Sequence, residues 1–167
     1  MKKSILFLLL VSVFFVTACG SSDSKSNLNN KKTRTIEDLM DGYVRTFVEL
    51  DYESGNLLYP QFYYDRVGKF TKEKLEEMME NTKESYGDNF NIKYNITKTI
   101  KMTEEELKKQ NEVIQSRFET EMEASECYKY EGTITFKGSE FEDTDPIDSL
   151  VYCKYDGEWY LSSNVSE

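Results

Sequence analysis

The apolar positions of this chain fall into three regimes. Ile5 to Val16 is a run of twelve residues broken only by Ser12. From 20 to 34 the chain reads GSSDSKSNLNNKKTR, with Leu28 its one apolar residue and no period. From Thr35 onward the period becomes helical. Ile36, Leu39, Met40, Tyr43, Val44, Phe47 and Val48 repeat at i, i+3, i+4, i+7, and Thr35 with Asp38 forms a capping signal ahead of them. A second helix is expected over Asn56 to Val67, kinked at Pro60 or starting there. A third runs from Lys72 to Tyr86, with Leu75, Met78, Met79 and Tyr86 on one face and Gly87 as its stop.

The period then drops to two. Ile92, Tyr94, Ile96 and Ile100 alternate with polar residues over Asn91 to Lys101, which predicts a strand with one wet face. Thr103-Glu104-Glu105-Glu106 opens a fourth helix reaching Phe118, with Leu107, Ile114 and Phe118 on its stripe. Glu126 to Lys137 alternates again, Ser149 to Tyr155 forms another strand, and Asp156-Gly157 turns the chain into Glu158-Trp159-Tyr160-Leu161. The order implies an α+β domain, with the helices packed on one face of a twisted antiparallel sheet of about four strands.

The amino terminus changes what that domain is attached to. Lys2 and Lys3, the apolar run and the small residues Thr17 and Ala18 make a secretory signal, too short for a membrane span. Val16-Thr17-Ala18-Cys19 resembles the bacterial lipobox, in which the cysteine receives a diacylglyceryl group and becomes the first residue. The competing reading is an ordinary secretory signal in which Cys19 is incidental. The lipobox reading divides the chain into a signal peptide (1–18), a lipidated Cys19 with a flexible tether (19–34) and one domain (35–167), leaving 149 mature residues. The partner so implied is a lipid bilayer, held through diacylglyceryl-Cys19 on its outer face. Two acyl chains anchor stably where one does not.

A wider resemblance rests on the first helix with Asp38-Leu39-Met40, on Leu57-Leu58-Tyr59-Pro60, on Thr103-Glu104-Glu105-Glu106-Leu107 and on the closing Asp156-Gly157-Glu158-Trp159-Tyr160-Leu161. With the lipobox, these resemble the small Firmicute lipoproteins of unknown function whose domains are similar to the NTF2-like (cystatin-like) roll. The resemblance implies that fold. It brings no catalytic residues to transfer, and the roll hosts isomerases, dehydratases, adaptors and binding modules alike.

Composition narrows the chemistry. The chain has no histidine, which excludes Ser-His-Asp and Cys-His nucleophiles and His-ligated zinc. A formal charge of −10 excludes the basic footprint that nucleic acid requires. Cys127 and Cys153 remain after Cys19, and outside the cell they are either a disulfide or two free thiols. Cys127 is expected on a polar face with Lys129 and Thr133, whereas the facing of Cys153 stays open. Glu140 to Asp148 reads EFEDTDPID, with five acids. It lacks the glycine and the closing glutamate of a calcium loop, so it reads as a solvated acidic turn. Tyr59, Tyr63, Tyr64, Tyr94, Tyr128, Tyr130, Tyr152 and Trp159 either line a ligand pocket or form the helix–sheet core.

No catalytic residue, metal ligand or cofactor is expected. Three function classes follow: a non-catalytic envelope lipoprotein binding a small ligand or protein partner; an NTF2-like enzyme using Tyr and Asp/Glu as acid and base; and an immunity-type lipoprotein that captures a cationic peptide.

Overall fold

A computed structural model describes residues 34–147 and 150–163. The signal segment, Cys19, all of the tether before Arg34, Asp148 and Ser149 lie outside the described residues. Helix α1 is Ile36–Val48 and starts on a reciprocal cap. Thr35 N–H donates to Asp38 Oδ2 at 2.8 Å, and Asp38 N–H to Thr35 Oγ1 at 3.1 Å. Its apolar stripe buries Leu39, Met40 and Phe47.

The second predicted helix divides. A single turn, α2 (Tyr52–Gly55), is capped by Asp51, and α3 (Gln61–Val67) begins immediately after Pro60. Proline has no N–H to give and biases the residue before it to extended backbone, so the helix starts there and does not run through. α4 (Lys72–Tyr86) runs from the Thr71 cap to Gly87, whose φ of 78° ends it.

Strand β1 (Asn91–Lys101) leads into α5 (Glu104–Phe118), and β2 (Glu126–Lys137) follows. Thr103 and Glu106 form the capping box that their spacing predicts. Glu106 also pairs with Lys129 of β2. The Lys129 bond, followed by the bonds from Thr103, holds the Glu106 carboxyl down to about 2. A depressed folded value stabilises above the ordinary carboxylate range and is lost as pH falls through it. Stability at low salt is therefore expected to decline between about pH 4.5 and about 2. Glu106→Gln should flatten that part of the profile in acid-titrated thermal melts, and an unchanged profile would break the Glu106–Lys129 assignment.

β3 (Glu142–Pro146), β4 (Leu150–Tyr155) and β5 (Glu158–Ser163) complete a five-stranded antiparallel sheet in the order β1-β2-β4-β5, with β3 also on β2. Since β1 fills one side of β2, β3 and β4 share the other, in series. Thr133 to Lys137 pair with β3, and Glu126 to Lys129 pair with β4. Asp156 and Gly157, both at positive φ, close the β4–β5 hairpin.

The fifth strand corrects the reading of Glu140 to Asp148 as a turn. Glu142 to Pro146 is a strand because the β2 hairpin folds it back. Thr135 Oγ1 and Thr144 Oγ1 are then 2.9 Å apart, and Lys137 meets Glu142 across the pair.

The placement of the helices is a second correction. Side chains alternate along a strand, so neighbours on β4 report on opposite faces. Tyr152 donates its hydroxyl to the Arg34 carbonyl at 3.0 Å, directly before α1. Val151 and Cys153 pack instead with Met102, Ala124, Cys127 and Tyr155, against Leu107 of α5. α1 therefore lies on one face, which we call the α1 face, and α5 on the other. Cys127 is consequently not on a wet face. It shares its side with Lys129, but α5 covers both, leaving Cys127 1% exposed and Lys129 paired to Glu106.

Candidate functional site

Two helices crossing opposite faces of long strands leave two diagonal quarters of the sheet bare. On the α5 face the bare quarter is at the far end of β2, and Thr133, Lys137, Glu142 and Thr144 are exposed there with Asn91, Lys93 and Asn95 of β1. That composition is what water dictates. On the α1 face the bare quarter is at the near end, where Lys101, Glu126, Tyr128, Lys154 and Trp159 are brought together by register. Tyr128 pairs with Lys101 and Tyr152, and Lys154 with Glu126 and Trp159. Here the surface is aromatic.

The geometry of this quarter is a ladder. The Tyr152 and Trp159 rings stack at 4.3 Å with 13° between planes, and Tyr128 tilts against Trp159 at 5.7 Å. Lys154 Nζ sits 5.4 Å from the Trp159 ring centre, and Lys101 Nζ sits 5.9 Å from that of Tyr128. Lys101 reaches Glu126 Oε1 at 2.6 Å, and the Tyr128 hydroxyl donates to the same oxygen at 2.8 Å. These bonds, Lys101 first, pull the Glu126 carboxyl below its ordinary range. The Glu126 bond, followed by burial, pushes the Tyr128 hydroxyl up. Tyr152 is buried, while Tyr128, Lys154 and Trp159 stay partly exposed.

The other predicted aromatics do not join the ladder: Tyr59, Tyr63, Tyr64 and Tyr130 are buried, and Tyr94 is half-buried against α1. Tyr59 and Tyr63 stack at 4.3 Å, and the Tyr64 hydroxyl donates to the Gly55 carbonyl at 2.5 Å while accepting from Tyr59 N–H. The void that Tyr59, Phe62 and Tyr63 share with Ile114, Phe118 and Leu161 measures about 10 Å³, room for one water molecule. Tyr94 donates to Asp41 Oδ1 at 2.7 Å, and burial followed by that bond pushes it up to about 12.

Tyr130 is 4% exposed, and its hydroxyl has no hydrogen-bond partner among the described residues. Removing an unmatched buried hydroxyl is nearly neutral or stabilising. Tyr130→Phe is therefore expected to keep the melting temperature or raise it. A loss of about 1 kcal/mol or more in denaturant unfolding would mean that the hydroxyl has a partner.

The predicted list thus mixed two populations, and only Tyr128, Tyr152 and Trp159 meet at a surface. Lys101, Lys154 and Glu126 were not on it. Their signal was available in the register, since each stands opposite one of those rings or beside it once β1, β2, β4 and β5 are aligned.

The remaining candidates are quickly placed. Cys127 and Cys153 face each other across β2 and β4, with Cα atoms 4.1 Å apart, and are joined by a disulfide in the core. Among the described residues no group of three or more carboxylates and cysteines could hold a metal ion. On β3, Glu142 lies on one face, and Asp143 and Asp145 share the other. Asp51, Glu73, Glu106 and Glu126 are shifted down, toward the charged form. No helix among the described residues is long and apolar enough to cross a membrane.

No family model matches this chain, and neither a curated protein nor a solved structure is detectably similar to it.

Proposed function

We propose that this protein is an extracytoplasmic lipoprotein, anchored through diacylglyceryl-Cys19, whose NTF2-like (cystatin-like) domain is a non-catalytic binding module of the cell envelope. It works at the outer membrane–water interface, through the bare aromatic quarter of its sheet. One observation carries the reading. Of the two quarters that the helices leave, the exposed one is threonine, lysine, glutamate and asparagine, and the partly exposed one is a Tyr128–Tyr152–Trp159 ladder. A solvated face needs no such rings, whereas Tyr and Trp are the residues that concentrate binding energy at contact surfaces. The small void beside Tyr59 supports binding over acid–base chemistry.

Charge favours a second reading. From Arg34 on, 30 acidic side chains outnumber 16 basic ones, which suits capture of a cationic peptide. Binding of that kind weakens as salt is added, whereas binding to the aromatic quarter does not.

The anchor is tested by Cys19→Ser. The variant is expected to leave the membrane fraction or to keep its signal peptide. A variant that stays membrane-bound at the mature mass would overturn the reading.

A further inference from the structure

We infer that the occupant of the bare aromatic quarter is the head-group layer of the bilayer in which the protein is anchored. The inference rests on the anchored reading and adds which pole of the domain faces the lipid. Its first support is where the chain joins the fold. The carbonyl of Arg34 accepts from Tyr152, its guanidinium lies 4.5 Å from the Tyr160 ring centre, and Nη1 donates to the carbonyl of Leu57. The link toward Cys19 therefore leaves beside the ladder. Only fourteen residues separate Cys19 from Arg34, so the anchor acts on the pole at which the chain joins the fold.

The second support is the chemistry of that pole. The segment at Leu57 and Leu58 runs along the free edge of β5, where Leu161 N–H donates to the Leu58 carbonyl at 2.8 Å. Leu57 is 59% exposed, the most exposed of the large apolar side chains described. On the α1 face of the same end of the sheet stand Trp159 and Tyr128, partly exposed, with Lys154 and Lys101 near their rings. Amphipathic rings, an exposed leucine and lysines with long apolar stems match the composition of a membrane–water boundary. A soluble ligand would need a concavity, and this surface is an open sheet face.

Charge does not drive the contact. Lys101, Lys154 and Arg34 are offset by Glu126, Glu37 and Asp38 around the ladder. The contact is thus apolar and aromatic, weak in itself and made effective by the anchor, which raises the local concentration of lipid.

Trp159 is the sole tryptophan and therefore a built-in reporter. The lipidated mature protein, purified from membranes, is reconstituted into phosphatidylcholine–phosphatidylglycerol vesicles with or without acyl-brominated lipid. A roughly twofold loss of Trp159 emission in the brominated vesicles, unchanged by added salt, is expected for rings seated in the boundary. Leu57→Glu should recover most of that emission, and Phe141→Glu, at the β2–β3 turn on the opposite end of the sheet, should not. Protein that floats with the vesicles and carries acylated Cys19, yet shows no quenching, overturns the inference and leaves the anchored reading standing. Protein that neither floats nor carries lipid overturns both.

Discussion

Removing the Cys127–Cys153 bridge should lower the melting temperature by about 10 °C or more. The cysteines are 26 residues apart. Closing a loop of that length removes about 3–4 kcal/mol of denatured-state freedom in the chain-entropy model. In a domain of this size each kcal/mol shifts the midpoint by roughly 3–5 °C. Both cysteines are buried among Met102, Ala124, Val151 and Tyr155, so a paired alanine substitution also leaves a cavity under α5. The double variant is the cleaner test, since a single serine substitution adds a buried hydroxyl and a free thiol. Equal melting temperatures with and without reductant would show that the bridge does not form in solution.

Gly132→Ala should destabilise the domain by about 3 kcal/mol or more, read from urea unfolding. A Cβ at Gly132 would fall 2.1 Å from the Asn95 carbonyl oxygen and 3.0 Å from Ile96 Cα. Both are backbone atoms of β1, beside the register shift between Ile96 and Lys98, so no side chain can swing away. The β1–β2 pair would have to open. Gly157 is the control. Its φ is +81° but nothing lies within 4 Å of an added Cβ, so alanine there should cost only about 1–2 kcal/mol of backbone strain. A Gly132→Ala variant no worse than Gly157→Ala would mean that β1 and β2 pair in another register.

Local signals were the legible ones. Thr103 with Glu106 and the Asp156-Gly157 turn each act within a few residues, and each appears as read. Asn91 to Lys101 is the strand its alternation predicts, but the register shift between Ile96 and Lys98 carries Ile100 to the face opposite Ile92, Tyr94 and Ile96. What escaped depends on partners distant in sequence. β3 is rich in Asp and ends on Pro146, so nothing in its own composition favours a strand. Its pairing is imposed by β2.

The one-sided helix layer failed for a related reason. Alternation shows which positions share a face but not how far a helix covers that face. Cys127 and Tyr128 are neighbours on opposite faces, yet both lie against other groups, one under α5 and one in the ladder. The same limit applies to the tyrosines. Tyr130 and Tyr128 share a face two residues apart, and only the end of α1 separates a buried ring from a surface one.

The central claim is that this domain works as a lipid-anchored module at the outer face of a membrane. Mass analysis of the amino-terminal peptide of the protein, taken from the membrane fraction of its own cells, tests it most directly. A first residue of Cys19 carrying a thioether-linked diacylglyceryl group is the expected result. An unmodified Cys19, or a chain that begins at any other residue, would contradict the account.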